Sequence, residues 1–178
     1  MAFTVVLDKA TGDRFLEADW DSYIRDNINF LAVPPRALLH LDTSQAITTG
    51  ATGEAIAFTD ESFDTAALGD IAGQPTRITF AVAGSYLIVA QIRFAADATG
   101  TLRRAWLLKN GTDIIGDAQV HPGAAYTSMH VMGLNQFSAV TDYVQLWVAH
   151  DVGSDLNVEG DASGVYTWMS VHWQGNFS

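Results

Sequence analysis

Residues 77–94 read Arg77-Ile-Thr-Phe-Ala-Val-Ala-Gly-Ser-Tyr-Leu-Ile-Val-Ala-Gln-Ile-Arg-Phe94. Ala83-Gly84 breaks a short apolar segment, Thr76–Ala81, from the strongest strand of the chain, Ser85–Ala95. Along that strand the residues alternate between two faces. Tyr86, Ile88, Ala90, Ile92 and Phe94 share one face and read as core. Leu87, Val89, Gln91 and Arg93 share the other, which begins apolar and ends polar. A sheet buried on one side only does not normally leave a Leu and a Val in water.

The chain on either side reads as strand after strand. Before this stretch come a strand at Arg36–Leu41, a small polar loop at Thr43–Thr52 and a strand at Glu54–Phe58. An acidic turn at Asp60-Glu61-Ser62 and a glycine-bearing loop at Leu68–Gln74 follow. After it, Thr99-Gly100 turns into Leu102–Lys109. Asn110-Gly111 is the strongest two-residue hairpin signal of the sequence, and Thr112–Val120 answers it. Pro122-Gly123 turns again, and Thr127–Phe137, Asp142–His150, Asp155–Glu159 and Val165–Gln174 complete the series. Short strands at this spacing predict a sandwich or barrel.

The late strands repeat the two-faced pattern. In Tyr143–His150 one face carries Val144, Leu146 and Val148, and the other Tyr143, Gln145, Trp147 and Ala149. In Tyr166–Trp173 one face carries Tyr166, Trp168, Ser170 and His172, and the other Thr167, Met169, Val171 and Trp173. Aromatics on both faces predict a second buried surface, formed by subunit association. The candidate subunit-interface residues are Leu87, Val89, Tyr143, Trp147, Trp168 and His172. One short helix would not cover three strands.

The only convincing helix lies within Glu17–Leu31, at about 19–31. Trp20, Tyr23, Ile24, Asn27, Ile28 and Leu31 recur at steps of three and four, so most share a face. Asp19 is the expected N-cap, Asp21 suits the first turn, and Pro34-Pro35 ends the helix. A helix of about 12–15 residues is marginal alone in water, so its stripe must pack on something. That something is either its own domain or a neighbouring chain. The expected organisation is an N-terminal segment, 1–36, and a β domain, 37–178.

Composition narrows the function. The 178 residues suit one domain plus a short extension, and 48% are apolar against 16% charged, enough for a real core. Nine Lys and Arg against 20 Asp and Glu give a net charge of −11. That argues against nucleic acid and against anionic membrane surfaces. The absence of cysteine removes disulfides, thiol catalysis and Cys-based metal sites. No apolar run reaches the length of a membrane span, so no membrane insertion is expected. Met1–Lys9 is not expected to be a secretory signal, because Phe3–Leu7 lacks a basic leader and Asp8 follows it.

Arg77–Phe94, with its apolar strand, Ala-Gly-x-Tyr and long alternating strand, resembles the central signature of complement C1q/tumour-necrosis-factor-like jelly rolls. Leu102–Gly111 resembles the next strand and its turn, and Asp142–His150 the later Asp-x-Val-x-Leu-x-Val strand. The resemblance spans roughly 37–178. It implies an all-β, C1q/TNF-like jelly-roll sandwich with a short N-terminal helical segment, assembled as a homotrimer. The N-terminal text Asp-Trp-Asp-Ser-Tyr-Ile-Arg-Asp-Asn-Ile-Asn-Phe-Leu resembles a segment at the start of tailed-phage structural proteins, with Tyr23, Arg25, Asp26, Asn27, Phe30 and Leu31 matching. The leading Leu-Thr-Ala of that segment is only loosely matched, by Phe15-Leu16-Glu17-Ala18. The resemblance implies a virion location, as a capsid decoration protein, head fibre or minor tail component. Particle attachment to other virion proteins would then use Trp20, Tyr23, Ile24, Arg25, Asn27, Ile28, Phe30 and Leu31.

No catalytic constellation stands out, and no enzyme activity is expected. The histidines His40, His121, His130, His150 and His172 form no close sequence pair, and His172 reads as packed or interfacial. No metal site is marked and no cofactor is called for. Asp60, Glu61 and Asp64 cluster in one loop, and Asp151, Asp155, Glu159 and Asp161 in another. The second group could ligate Ca²⁺ but matches no strict calcium loop, and a solvated turn is the simpler reading. Gly-x-Ser-x-Gly and phosphate-binding glycine fingerprints are absent. The alternative function is recognition of a host cell-surface glycan or protein. Its candidate loop residues are Tyr126, Asp155, Asn157 and Asp161, with Trp106 weaker because it lies in a strand.

Overall fold

The computed structural model describes residues 13–14, 16–138 and 141–175. The expectations for Met1–Lys9 and for Phe15 lie outside these residues. Among the described residues no helix is long and apolar enough to cross a membrane.

The N-terminal segment is helical from 17 to 32, as α1 (Glu17–Asp19), a π-helical stretch (Trp20–Arg25) and α2 (Asp26–Ala32). It starts earlier than the expected Asp19 N-cap. Leu16 precedes the first turn, and the Leu16 N–H donates to Asp19 Oδ2 at 2.8 Å. Asp19 therefore folds back from inside the first turn instead of capping it from outside. Val33 and the two prolines stop the helix as expected.

Twelve strands follow: β1 (Arg36–His40), β2 (Gln45–Ile47), β3 (Gly50–Ala55), β4 (Asp60–Asp64), β5 (Ile78–Thr79), β6 (Gly84–Phe94), β7 (Arg103–Lys109), β8 (Asp113–Val120), β9 (Thr127–Phe137), β10 (Tyr143–His150), β11 (Leu156–Val158) and β12 (Trp168–Gly175). All pair antiparallel. A seven-stranded sheet runs β2-β11-β6-β12-β1-β4, with β9 on the other side of β6. A five-stranded sheet runs β3-β10-β7-β8, with β5 also on β10.

The two sheets face each other across one core. The alternation read from β6 holds: Tyr86, Ile88, Ala90, Ile92 and Phe94 are all buried in it. From the opposite sheet come Ala105, Leu107, Val144, Leu146 and Val148. Phe80, Tyr86 and Phe137 stack at one end, with Phe80 3.8 Å from Phe137 and 4.3 Å from Tyr86 between ring centres. The Tyr86 hydroxyl donates to Val82 O at 2.9 Å. Burial pushes its pKa well above the usual phenol range.

At one corner the sheets approach through glycine. A Cβ on Gly116 of β8 would lie 2.5 Å from Met132 O, and one on Gly133 of β9 would lie 2.6 Å from Ile115 O. The Asn110-Gly111 hairpin forms as expected, with φ of 51° and 75°, the positive pair that a tight hairpin turn needs.

Several boundaries differ from the sequence expectation. Asp60-Glu61-Ser62, expected as a turn, opens β4 and pairs with β1 in the register His40↔Asp60 and Leu39↔Glu61. The expected loop 43–52 contains β2, paired Ile47↔Leu156 with β11. The expected strand at Glu54–Phe58 moves back to Gly50–Ala55, while Ile56 and Phe58 still enter the core. Thr76–Ala81 shrinks to the two residues of β5. For β2 and β4 a distant partner strand overrides weak local preference.

Candidate functional site

The outer face of the seven-stranded sheet carries exposed apolar side chains. Register sets its side chains. Leu87 lies between Leu134 and His172, Val89 between Met132 and Ser170, and Gln91 between His130 and Trp168. Met132 is 63% exposed and Leu134 65%. Leu87 and Val89 are half-buried between them and β12. The result is an apolar stripe across β6 and β9, directed away from the core and flanked on β12 by Ser170 and His172. Isolated exposed Leu or Met is ordinary, but a contiguous stripe marks an interaction surface.

Polar groups border the stripe and satisfy one another. His172 Nε2 lies 2.7 Å from Ser170 Oγ, and His130 Nε2 lies 2.9 Å from Gln91 Oε1. Partial burial, and then the Arg36 charge, lower the His172 pKa below the usual imidazole value. His172 is thus neutral at pH 7, which suits an apolar contact. Arg93 is held between two rings, 3.9 Å from the centre of Tyr126 and 4.1 Å from that of Tyr166.

The six interface candidates do not share one face. Leu87, Val89, Trp168 and His172 lie on the outer face of the seven-stranded sheet. Tyr143 and Trp147 lie half-buried on the outer face of the other sheet, against side chains of their own chain. Arg77 sits 4.6 Å over the Tyr143 ring, and Trp147 is 6.0 Å from Trp106. Trp106 is buried there beside Leu108 and Ala149. Sequence reading missed Met132 and Leu134, although the alternation Ser128, His130, Met132, Leu134, Gln136 along β9 carries the signal.

The attachment candidates also divide. Phe30 is buried edge-on against Trp173, 4.8 Å between ring centres, and Asn27 Nδ2 donates to Tyr23 O at 3.0 Å. These two turn inward, so Phe30 holds the helical segment to its own sandwich instead of facing a neighbour. Arg25 pairs with Asp21 at 2.7 Å one turn earlier. Tyr23 and Ile24 are half-buried. Trp20, Ile28 and Leu31 face solvent, joined by Leu16 and Val33, which sequence reading did not single out. The helix therefore has two apolar sides, one docked and one open.

The loop candidates have separate local settings. Tyr126 stacks on Arg93. Asn157 belongs to β11, opposite Ala46. Asp155 is exposed. Asp161 organises its own turn, accepting from the Ser163 hydroxyl and from Val165 N–H at 3.0 Å. Those hydrogen bonds, that of Ser163 first, hold its pKa below the usual carboxylate range. Among the described residues, the one group of three metal-type side chains with converging donor atoms is His40, Asp42 and Asp60.

No family model matches the sequence, and no curated protein matches it. Solved structures do match. The globular domain of a zebrafish complement 1qA protein superposes with a TM-score of 0.51 and 13% identity, over 80% of this chain and 99% of its own. The Eiger TNF of S. frugiperda gives a TM-score of 0.57 and 9% identity, over 81% and 96%. Murine APRIL gives 0.57 and 12%, over 78% and 99%. Two antiparallel sheets, one core and these neighbours agree: the chain folds as a C1q/TNF-like jelly roll.

Proposed function

We propose that the chain is a virion structural protein of a tailed phage, a homotrimeric jelly-roll head held to the particle by its N-terminal helical segment. The observation that carries the trimer is the outward-facing apolar stripe on the seven-stranded sheet, where Met132 and Leu134 are exposed beside half-buried Leu87 and Val89. Three copies packed by this face around an axis would remove it from water. The attachment role is supported by the phage-like Tyr23–Leu31 text and by the open side of the helix, where Trp20, Ile28 and Leu31 face solvent. Residues 1–36 join other virion proteins in this reading, and the sandwich projects.

Light scattering on the purified chain tests the assembly, and a stable monomer overturns it. Producing the chain without residues 1–36 during particle assembly tests the attachment. The expected outcome is a folded trimer that no longer joins particles. Normal incorporation of the shortened chain refutes it.

A further inference from the structure

We propose that His40, Asp42 and Asp60 form a binding site for one divalent transition-metal cation of the Zn²⁺ or Mn²⁺ type, at the edge where β1 meets β4. The site is built by register. β1 and β4 place His40 directly opposite Asp60. Asp42 follows His40 by two residues, past the end of β1, where its N–H donates to Thr59 Oγ1 at 2.7 Å.

Three features make this more than an acidic cluster. First, His40 is only 4% exposed, and its Nε2 is fully buried with no hydrogen-bond partner. Asp42 Oδ1 is likewise buried without one. Their one close polar contact is with each other, an imidazole–carboxylate pair 3.2 Å apart that does not meet hydrogen-bond geometry, so their lost hydration is only partly compensated. Second, these atoms converge. Nε2 lies 3.2 Å from Asp42 Oδ1 and 3.9 Å from Asp60 Oδ2, and all three donors lie within 4.8 Å of one another. Two ligand atoms each about 2.0–2.1 Å from a tetrahedral Zn²⁺ stand about 3.3 Å apart. The His40–Asp42 spacing already meets that value, and Asp60, the more exposed partner, needs a small inward movement.

Third, the surroundings orient the ligands. Ser62 Oγ lies 3.3 Å from His40 Nδ1. A hydroxyl accepting the Nδ1 proton leaves the Nε2 lone pair for a cation, the usual outer partner of a ligating imidazole. Glu61 N–H donates to Asp60 Oδ1 at 2.8 Å, so Asp60 presents Oδ2 to the site. Gly164, at φ +66°, backs the ring, and a Cβ there would lie 2.8 Å from His40 Cγ. One imidazole with two carboxylates suits Zn²⁺ or Mn²⁺ better than Ca²⁺ or Mg²⁺, which take oxygen ligands. Asp60 faces solvent, so water can complete the coordination.

Isothermal titration calorimetry of the metal-free full chain tests the site, with ZnCl₂, MnCl₂, CaCl₂ and MgCl₂ as probes and a thermal melt beside each. The expected result is one Zn²⁺ or Mn²⁺ per chain, with a raised Tm. Asp60→Asn and Asp42→Asn keep the side-chain shape and should each weaken binding about tenfold or more, with far-UV circular dichroism unchanged. Asp155→Asn, in the turn before β11 and outside the His40 group, should bind as the parent does. His40→Ala is a poorer variant, since emptying a buried position can unfold the edge. Absence of Zn²⁺ and Mn²⁺ binding overturns the site. So does binding that survives both aspartate changes, or Ca²⁺ binding as tight as Zn²⁺ binding.

Discussion

The Asp151 carboxylate gathers one loop. Thr101 N–H and Leu102 N–H donate to its Oδ1 at 2.7 and 2.8 Å, and the Thr101 hydroxyl donates to its Oδ2 at 2.7 Å. The buried Arg103 guanidinium stands 4.0 Å away and donates to the carbonyls of Leu102, Asp97 and Thr99. These hydrogen bonds, the Thr101 hydroxyl first, lower the Asp151 pKa from 3.8 to about 2. A carboxyl whose folded pKa is depressed stabilises the fold above its unfolded pKa, and that stability is lost as pH falls through the folded value. The window for Asp151 therefore runs from about pH 4 down to about pH 2. Asp151→Asn should melt below the parent at pH 7. The gap should narrow through that window and close near its lower end. Thermal melts at stepped pH check this, and a gap that stays constant to pH 2 would show that the carboxylate charge is not what the loop uses.

Phe30 ties the N-terminal helix to the sandwich. Phe30 is the single large apolar side chain that α2 buries, and Trp173 at the end of β12 receives it. A segment of this length is marginal alone. Phe30→Ala should therefore free the helix while leaving the sandwich folded. By hydrogen exchange, the opening free energy of the amides over 17–32 should fall by about 3 kcal/mol, while those of β6 keep their protection. Equal loss in β6 would mean that helix and sandwich unfold as one unit. The same elements show what the sequence carries. β6 was legible because nine residues, Tyr86–Phe94, alternate without interruption, and β7–β8 because Asn110-Gly111 admits few other turns. The helix was legible from its spacing, but not which of its sides docks, since Phe30 and Leu31 are equally apolar and their burial is decided by what the sandwich places beside them, Trp173 included. β2 and β4 were not legible, because Gln45–Ile47 and Asp60–Asp64 are ordinary loop text until β11 and β1 pair with them. The His40 group was hidden for a related reason: His40 and Asp42 are near in sequence, but Asp60 arrives only through the β1–β4 register.

At the scale of the whole molecule, apolar burial and like-charge repulsion set the proposed trimer against itself. Each chain carries −11, so three carry 3 × −11 = −33. The screening length shrinks from about 30 Å at 0.01 M salt to about 8 Å at 0.15 M. Added salt should therefore tighten the assembly, opposite to an interface held by ion pairs. The attraction that resists this repulsion must come from the stripe. Burying a Leu or Met side chain contributes about 1.5–3 kcal/mol. Losing one such contact in each of three chains removes at least about 4.5 kcal/mol, roughly a thousandfold in the association constant. Leu134→Glu deletes that contact and places a carboxylate on the face, so it should give a monomer by light scattering at concentrations where the parent is trimeric. Met132→Glu should do the same. Because both side chains are more than 60% exposed in the single chain, neither change should disturb the core, and the strand signal in far-UV circular dichroism should be unchanged. A folded trimer in both variants would place the subunit contact elsewhere, with the outer face bearing Trp147 and Tyr143 as the next surface to change.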